Sequence, residues 1–259
     1  MNITIIGSGR VATHLATVLA VQHQILQVYS RDLVHAQTLA TLVNAQAIHQ
    51  FEQLNLNTDL VIIAVSDQAI ATVIQTIAQY LPERLIVHTS GSTNLSTLTQ
   101  IHDRAGVFYP LQTFSFERAV NWQDTPIFVE ASNAQDLELL TQLANSLSNK
   151  VYQYSSKQRQ TLHLAAVFAC NFSNYCYDMA KQIVDQEQVD FNLLSPLILE
   201  TANKATFNDP KNMQTGPAVR GDQNILAMHT QLLAESHRTD LQKVYALMSD
   251  GIFQRHHPN

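Results

Sequence analysis

The chain has 259 residues, 46% of them hydrophobic and 14% charged, which is ample for a packed core of one or two domains and excludes an intrinsically disordered chain. A formal charge of −6 leaves no basic footprint for nucleic acid. The longest aliphatic run, Leu60 to Val65, is far too short to span a bilayer, and no charged-then-apolar leader precedes the first strand, so a cytoplasmic protein without a membrane partner is expected.

Met1 to Ile6 reads as a short buried strand running into Gly7-Ser8-Gly9-Arg10-Val11-Ala12, a Gly-x-Gly-x-x-Ala turn, and then into a helix carrying Val11, Leu15, Val18 and Leu19 on one face. Each small residue has a use in that turn. Gly7 makes the bend, Gly9 leaves no Cβ where a pyrophosphate approaches, and Ala12 lets helix and strand pack closely. The N–H groups opening the helix would face the phosphates. A plain strand-to-helix turn is the alternative.

A second strand, Ile25 to Tyr29, ends in Ser30-Arg31-Asp32. An acidic residue at that place takes ribose hydroxyls, whereas an arginine accommodates a 2′-phosphate. Ser30 and Arg31 therefore favour NADP, and Asp32 on the ribose is the alternative. A helix near 33–44, a short strand at Ala47-Ile48 and the buried strand to Val65 follow. Val65 and Ser66 end that strand at the edge where ligands bind, and Asp67 reads as a helix N-cap rather than a catalytic acid.

The unit repeats with a helix to Tyr80, the strand Leu85 to Val87, and the polar turn His88-Thr89-Ser90-Gly91-Ser92, a loop of the kind that carries binding groups. Further strands are expected at Gly106 to Pro110, at Pro126 to Glu130 and at the edge near Lys150 to Tyr154, with a helix at about 134–147 capped by Ser132 or Asn133.

From Ser155 onward the pattern is helix after helix, so residues 1–154 are read as a dinucleotide-binding domain and 155–259 as a helical substrate and dimerisation domain. Ser156 to Glu187 contains neither Pro nor Gly and predicts one helix of about thirty residues. Helices at Asp190 to Lys204, Asp222 to Ala234 and Thr239 to Met248 complete it, with 207–221 as the long connection and His256 and His257 in a frayed tail. Cys170 and Cys176, six apart on the long helix, point to different faces, which argues against a disulfide and against a metal pair.

On a regular helix His163, Asn171, Asn174 and Asp178 fall within an arc of about 80°. Such a polar stripe either lines a wet cleft or binds neighbouring helices. An imidazole ordinarily titrates near 6.5, so His163 is the member suited to proton transfer near neutrality. Thr215 to Asp222 is the second constellation: Arg220 is a forked donor between Gly216 and Gly221, suited to a carboxylate or phosphate, or else an exposed arginine at a helix start.

These motifs resemble the superfamily of pyrroline-5-carboxylate reductase, ketopantoate reductase and the β-hydroxyacid dehydrogenases. More closely, the segments His88 to Ser92, Tyr109 to Phe114, His163 to Asn174 and Thr215 to Asp222 resemble a family of unassigned reaction that joins a Rossmann-like NADP domain to a helical domain of unknown function. The resemblance implies an α/β chain, a Rossmann-type mostly parallel sheet followed by an all-helical domain like the C-terminal domain of 6-phosphogluconate dehydrogenase. Ser90-Gly91 matches the Ser-Gly-Gly substrate loop of the β-hydroxyacid dehydrogenases, with Ser92 replacing the last glycine. Their Lys-x-x-x-Asn pair is missing, because Val167 precedes Asn171 by four and Thr161 follows Lys157 by four. His163 is the expected substitute, and Tyr109 stands where the closer family has His.

The expectation is thus an NADP-dependent oxidoreductase of a small anionic carbonyl, imine or alcohol, homodimeric through its helical half. Gly7, Ser8, Gly9, Arg10, Val11, Ser30, Arg31, Val65 and Ser66 would bind the cofactor. His163, Asn171 and Ser90 would serve catalysis, while Ser90, Gly91, Asn174 and Arg220 hold the substrate between the domains. No metal is expected. A non-catalytic NADP sensor and a purely structural dimer are the alternatives.

Overall fold

A computed structural model describes residues 1–258; Asn259, the last residue of the expected helical domain, lies outside them. By its contacts the chain forms two compact units, Met1–Asn171 and Phe172–Asn259.

The first unit is built on eight strands: β1 (Asn2–Ile6), β2 (Gln24–Tyr29), β3 (Gln46–Ile48), β4 (Leu60–Ile63), β5 (Leu85–His88), β6 (Ala105–Pro110), β7 (Ile127–Ala131) and β8 (Val151–Gln153). They form one sheet in the order β3-β2-β1-β4-β5-β6-β7-β8, parallel except for the β6–β7 pair. The central strands are buried on both faces, as helices on either side require. Ile3, Ile5 and Ile62 join one core with Leu15 and Leu19, whereas Ile6, Val61 and Ile63 join another with Ile70, Ile74 and Ile77.

Between strands run α1 (Arg10–Leu19), α2 (Leu33–Leu42), α3 (Asp67–Tyr80), the single turn α4 (Ser96–Thr99) and α5 (Ala134–Asn145). Asn133 caps α5, its side chain accepting from the Asp136 N–H. The cap of α3 is Ser66 and not Asp67, which lies inside the first turn. Asp67 faces instead the hydroxyl of Ser92, whose Oγ donates to Oδ2. The strand order changes direction between β1 and β4, which lie side by side and parallel, so the glycine turn after β1 stands at the switch point where ligands characteristically bind.

The long helix expected from Ser156 is not uniform. It comprises α6 (Ser156–Ala166), a π-helical stretch at Val167–Phe172, and α7 (Ser173–Gln186). Bonding to the fifth residue onward turns the chain less per residue than an α-helix does, so the angular spacing within the four-residue polar stripe changes at Val167. Polar anchoring explains why α6 belongs to the first unit: Ser156 and Arg159 are buried against the loop after β5.

The second unit continues from α7 with α8 (Ser195–Phe207), the single turn α9 (Pro217–Arg220), α10 (Gln223–Glu235) and α11 (Thr239–His256). The connection at 207–221 is partly helical, with a further turn at Pro210–Met213. α11 extends eight residues past the expected Met248 and ends on a contact, not a frayed tail: the His257 ring stacks on Phe253 and its Nε2 bonds the Val219 carbonyl at 2.9 Å. No helix among the described residues is long and apolar enough to cross a membrane.

Candidate functional site

The glycine turn separates two requirements. Gly7 has φ +123°, and a Cβ there would stand 2.2 Å from the Ala64 carbonyl oxygen, so this glycine is demanded by the protein's own packing. Gly9 has φ −78°, an ordinary value, and a Cβ there would meet nothing within 4 Å. Its small size serves no internal contact and leaves open space directly before α1. No side chain caps that helix, so its first N–H groups keep their capacity for an anion.

At the end of β2 the Ser8 hydroxyl donates to that of Ser30 at 3.1 Å, tying the turn to the second strand. Asp32 is committed elsewhere: its Oδ1 accepts the Val34 N–H at 2.8 Å and caps α2. Arg31 lines the cavity described below, and Asp32 does not.

The loop after β5 is held from beneath. His88 is fully buried, and its Nδ1 accepts the Ser90 N–H at 3.1 Å. Burial, helped by the nearby Arg159 charge and opposed by Asp67, pushes His88 down to about 3, so it stays neutral in that bond. Arg159, 1% exposed, donates to the carbonyls of Ser90, Gly91 and Thr93 at 2.7, 3.1 and 2.8 Å, and reaches Glu130 at 3.4 Å. Ser90 Oγ accepts the N–H groups of Ser92 and Thr93. Its hydroxyl therefore organises the turn.

On this floor stands a pair that sequence reasoning missed. Tyr109, at the carboxyl end of β6, places its hydroxyl 3.1 Å from Nδ1 of His163 on α6, the rings meeting edge-on with centroids 6.0 Å apart. Gly91 lies against both, since a Cβ there would be 2.5 Å from His163 Nδ1 and 2.8 Å from Tyr109 Cζ.

A single cavity of about 970 Å³ within the first unit unites these parts. Gly7 through Val11, Ser30, Arg31, Val65, Ser66, Ser90, Gly91 and His163 all line it, and Tyr109 and Asp67 join them. Its size suits an extended ligand rather than a metal ion or a small anion.

Two family models match parts of the chain, and the second of them begins inside the first unit. Residues 2–91 match the family described as NADP oxidoreductase, coenzyme F420-dependent, and residues 125–252 match a domain of unknown function, DUF2520. BF3122 of Bacteroides fragilis, assigned as an NADP oxidoreductase, is 40% identical over 98% of each chain with a TM-score of 0.92. The chain belongs to this family of NADP oxidoreductases. Its fold is shared more widely, with an imine reductase of Myxococcus stipitatus in complex with NADP⁺ (TM-score 0.75, 14% identity, 97% of this chain and 93% of that one). It is shared also with the pyrroline carboxylate reductase of Plasmodium falciparum with NADP bound (TM-score 0.57, 14% identity, 98% of each chain). No curated protein matches the sequence.

Three of the expected site residues of this NADP oxidoreductase lie off the cavity lining. Asn171 is exposed at the end of the first unit, beyond the start of the π-helical stretch. Asn174 and Arg220 belong to the second unit and are exposed. Of the residues that were missed, Arg159 left a faint signal as a cation four positions before His163, one turn away on the same helix. Tyr109 left another as a hydroxyl at a carboxyl strand end.

Proposed function

We propose that this NADP oxidoreductase moves hydride between NADP and a small carbonyl, imine or alcohol, with Ser90, Gly91, Tyr109 and His163 around the reacting atoms. The observation that carries the reading is the continuity of one cavity from the open space at Gly9 to His163. Ser8, Gly9, Arg10 and Val11, with Val65 and Ser66 beside them, would hold the pyrophosphate part of the cofactor. Ser30 and Arg31 would hold the 2′-phosphate. The cavity takes in Arg31 and not Asp32, which supports NADP over NAD.

Bound NADP supplies or takes up the hydride, and the chain supplies position and a proton. His163 is the group proposed to hold that proton, in place of the lysine its distant relatives use. Ser90 contributes the shape of the loop. The cavity offers an acidic substrate group little to hold: Arg10 and Arg31 line the turn and the end of β2, Arg159 is spent on backbone carbonyls, and Asp67 is the carboxylate of the lining.

The same proposal includes a homodimer through the second unit. Its buried apolar side chains are Met179, Ala218, Leu233 and Leu241, whereas Leu193, Leu197, Leu199, Phe207 and Leu247 are each more than half exposed. A helical unit with so little interior is completed by covering those faces.

Binding titration with NADPH, NADH and coenzyme F420 tests the cofactor. NADPH is expected to bind at least about tenfold more tightly than NADH, and Arg31→Ala to bring the two together. Equal affinities in the unaltered protein would overturn the assignment.

A further inference from the structure

Resting on the role proposed for His163, we propose that Tyr109 is its positioning residue: the phenol donates to Nδ1 and holds the imidazole in the form that carries its proton on Nε2. A neutral imidazole has one donor and one acceptor nitrogen, so whichever way the 3.1 Å bond points decides the state of the other nitrogen. Two observations point it from tyrosine to histidine. The Tyr109 side chain is 9% exposed and its hydroxyl has no other hydrogen-bond partner among the described residues. Were the imidazole the donor, the phenol proton would find no acceptor among the described residues and could turn only to a molecule in the cavity that Tyr109 lines. Burial, opposed by the Arg159 charge and aided by Asp67, also pushes the phenol up to about 12, so it remains a protonated donor throughout the neutral range.

The surroundings are shaped to preserve this bond. Gly91 is not in a left-handed conformation, so its backbone does not call for glycine. Its contacts do, because a methyl group there would intrude on Nδ1 and on the tyrosine ring together. Arg159 fastens the carbonyl of Gly91 itself, and His88 fastens the N–H of Ser90, so the loop cannot back away to make room. The charged groups around the pair are Arg159, its partner Glu130, and Asp67, while His88 below is neutral. With Nδ1 occupied by the phenol, Nε2 carries the N–H, able to donate a hydrogen bond to the oxygen or nitrogen of a carbonyl or imine and polarise it.

The test reads the tautomer directly, in full-length protein labelled with ¹⁵N-histidine. Long-range proton–nitrogen correlation spectra are recorded near pH 8, and the His163 signals are assigned by their loss in His163→Asn. The expected pattern is an unprotonated Nδ1 and a protonated Nε2 for His163, changing to a mixture of both forms in Tyr109→Phe, a variant that keeps the ring and its packing. Gly91→Ala is expected to give the same mixture. With a substrate in hand, Tyr109→Phe should lower kcat about tenfold and leave KM for NADPH unchanged, the size of one lost hydrogen bond. Absence of turnover with every carbonyl and imine tried would count against the oxidoreductase reading, while the spectra would still decide the tautomer. A protonated Nδ1 in the unaltered protein, or identical His163 signals in Tyr109→Phe, would overturn the proposal.

Discussion

Two glycines two positions apart do opposite kinds of work, and they can be told apart by substitution. Gly7 sits in the left-handed region with a backbone oxygen where its Cβ would be, so Gly7→Ala should cost about 3 kcal/mol or more of folding stability, read from urea unfolding. Gly9 has a common conformation and open space, so Gly9→Val should leave the unfolding midpoint within about 0.5 kcal/mol of the parent. Its branched side chain would fill the space assigned to the pyrophosphate, and NADPH binding should be lost. A Gly9→Val protein that still binds NADPH tightly would remove the turn from the cofactor site. From sequence both residues are simply the glycines of one motif. Their division of labour depends on Ala64, which lies 57 positions away from Gly7 and reaches it only because β4 pairs with β1.

Among elements, the segment from β5 through its loop to α6 is where stability and site meet. His88 is held neutral in the folded chain well below the ordinary histidine range, and it accepts protons normally once unfolded. Its folded pKa being depressed, its contribution is intact above about pH 6.5 and is lost progressively as the pH falls toward 3, because the unfolded chain binds the proton first. Stability measured by thermal unfolding should therefore drop between pH 6.5 and 4 more steeply in the parent than in His88→Asn, whose amide oxygen can still accept the Ser90 N–H. Parallel slopes for the two proteins would show that His88 is not the group responsible. The helix that clamps the same loop ends in the π-helical stretch, an interruption frequent at functional sites, just after His163. Nothing in the composition of Val167 to Phe172 announces it, since neither Pro nor Gly marks the place.

Taken together, the two units differ in how well each covers its own apolar surface. The sheet unit encloses two large cores, while the helical unit closes around Met179, Leu233 and Leu241 and leaves large aliphatic side chains in solvent. For a chain of 29.0 kDa, sedimentation equilibrium at micromolar concentration should return twice that mass. Leu193→Glu with Leu197→Glu, which sets charges at exposed aliphatic positions just before and within the first turn of α8, should shift the equilibrium to monomer without unfolding the sheet unit. A monomer in the unaltered protein would refute the dimer.

The alternation of strand and helix, the buried run at Leu60, the glycine turn and the change to an all-helical second half could be read directly because each depends on near neighbours in the chain: hydrophobic period, turn chemistry and caps. The cofactor preference was readable for the same reason, with Ser30, Arg31 and Asp32 adjacent. The partnership of Tyr109 with His163, the burial of Arg159 under Ser90 and Gly91, and the commitment of Ser90 Oγ to its own turn were not readable. Those contacts join residues up to 69 positions apart, or hang on which lone pair a hydroxyl presents. A one-dimensional period can say that His163 lies on a helix; the sheet that carries β6 beside β5 chooses which side chain meets it.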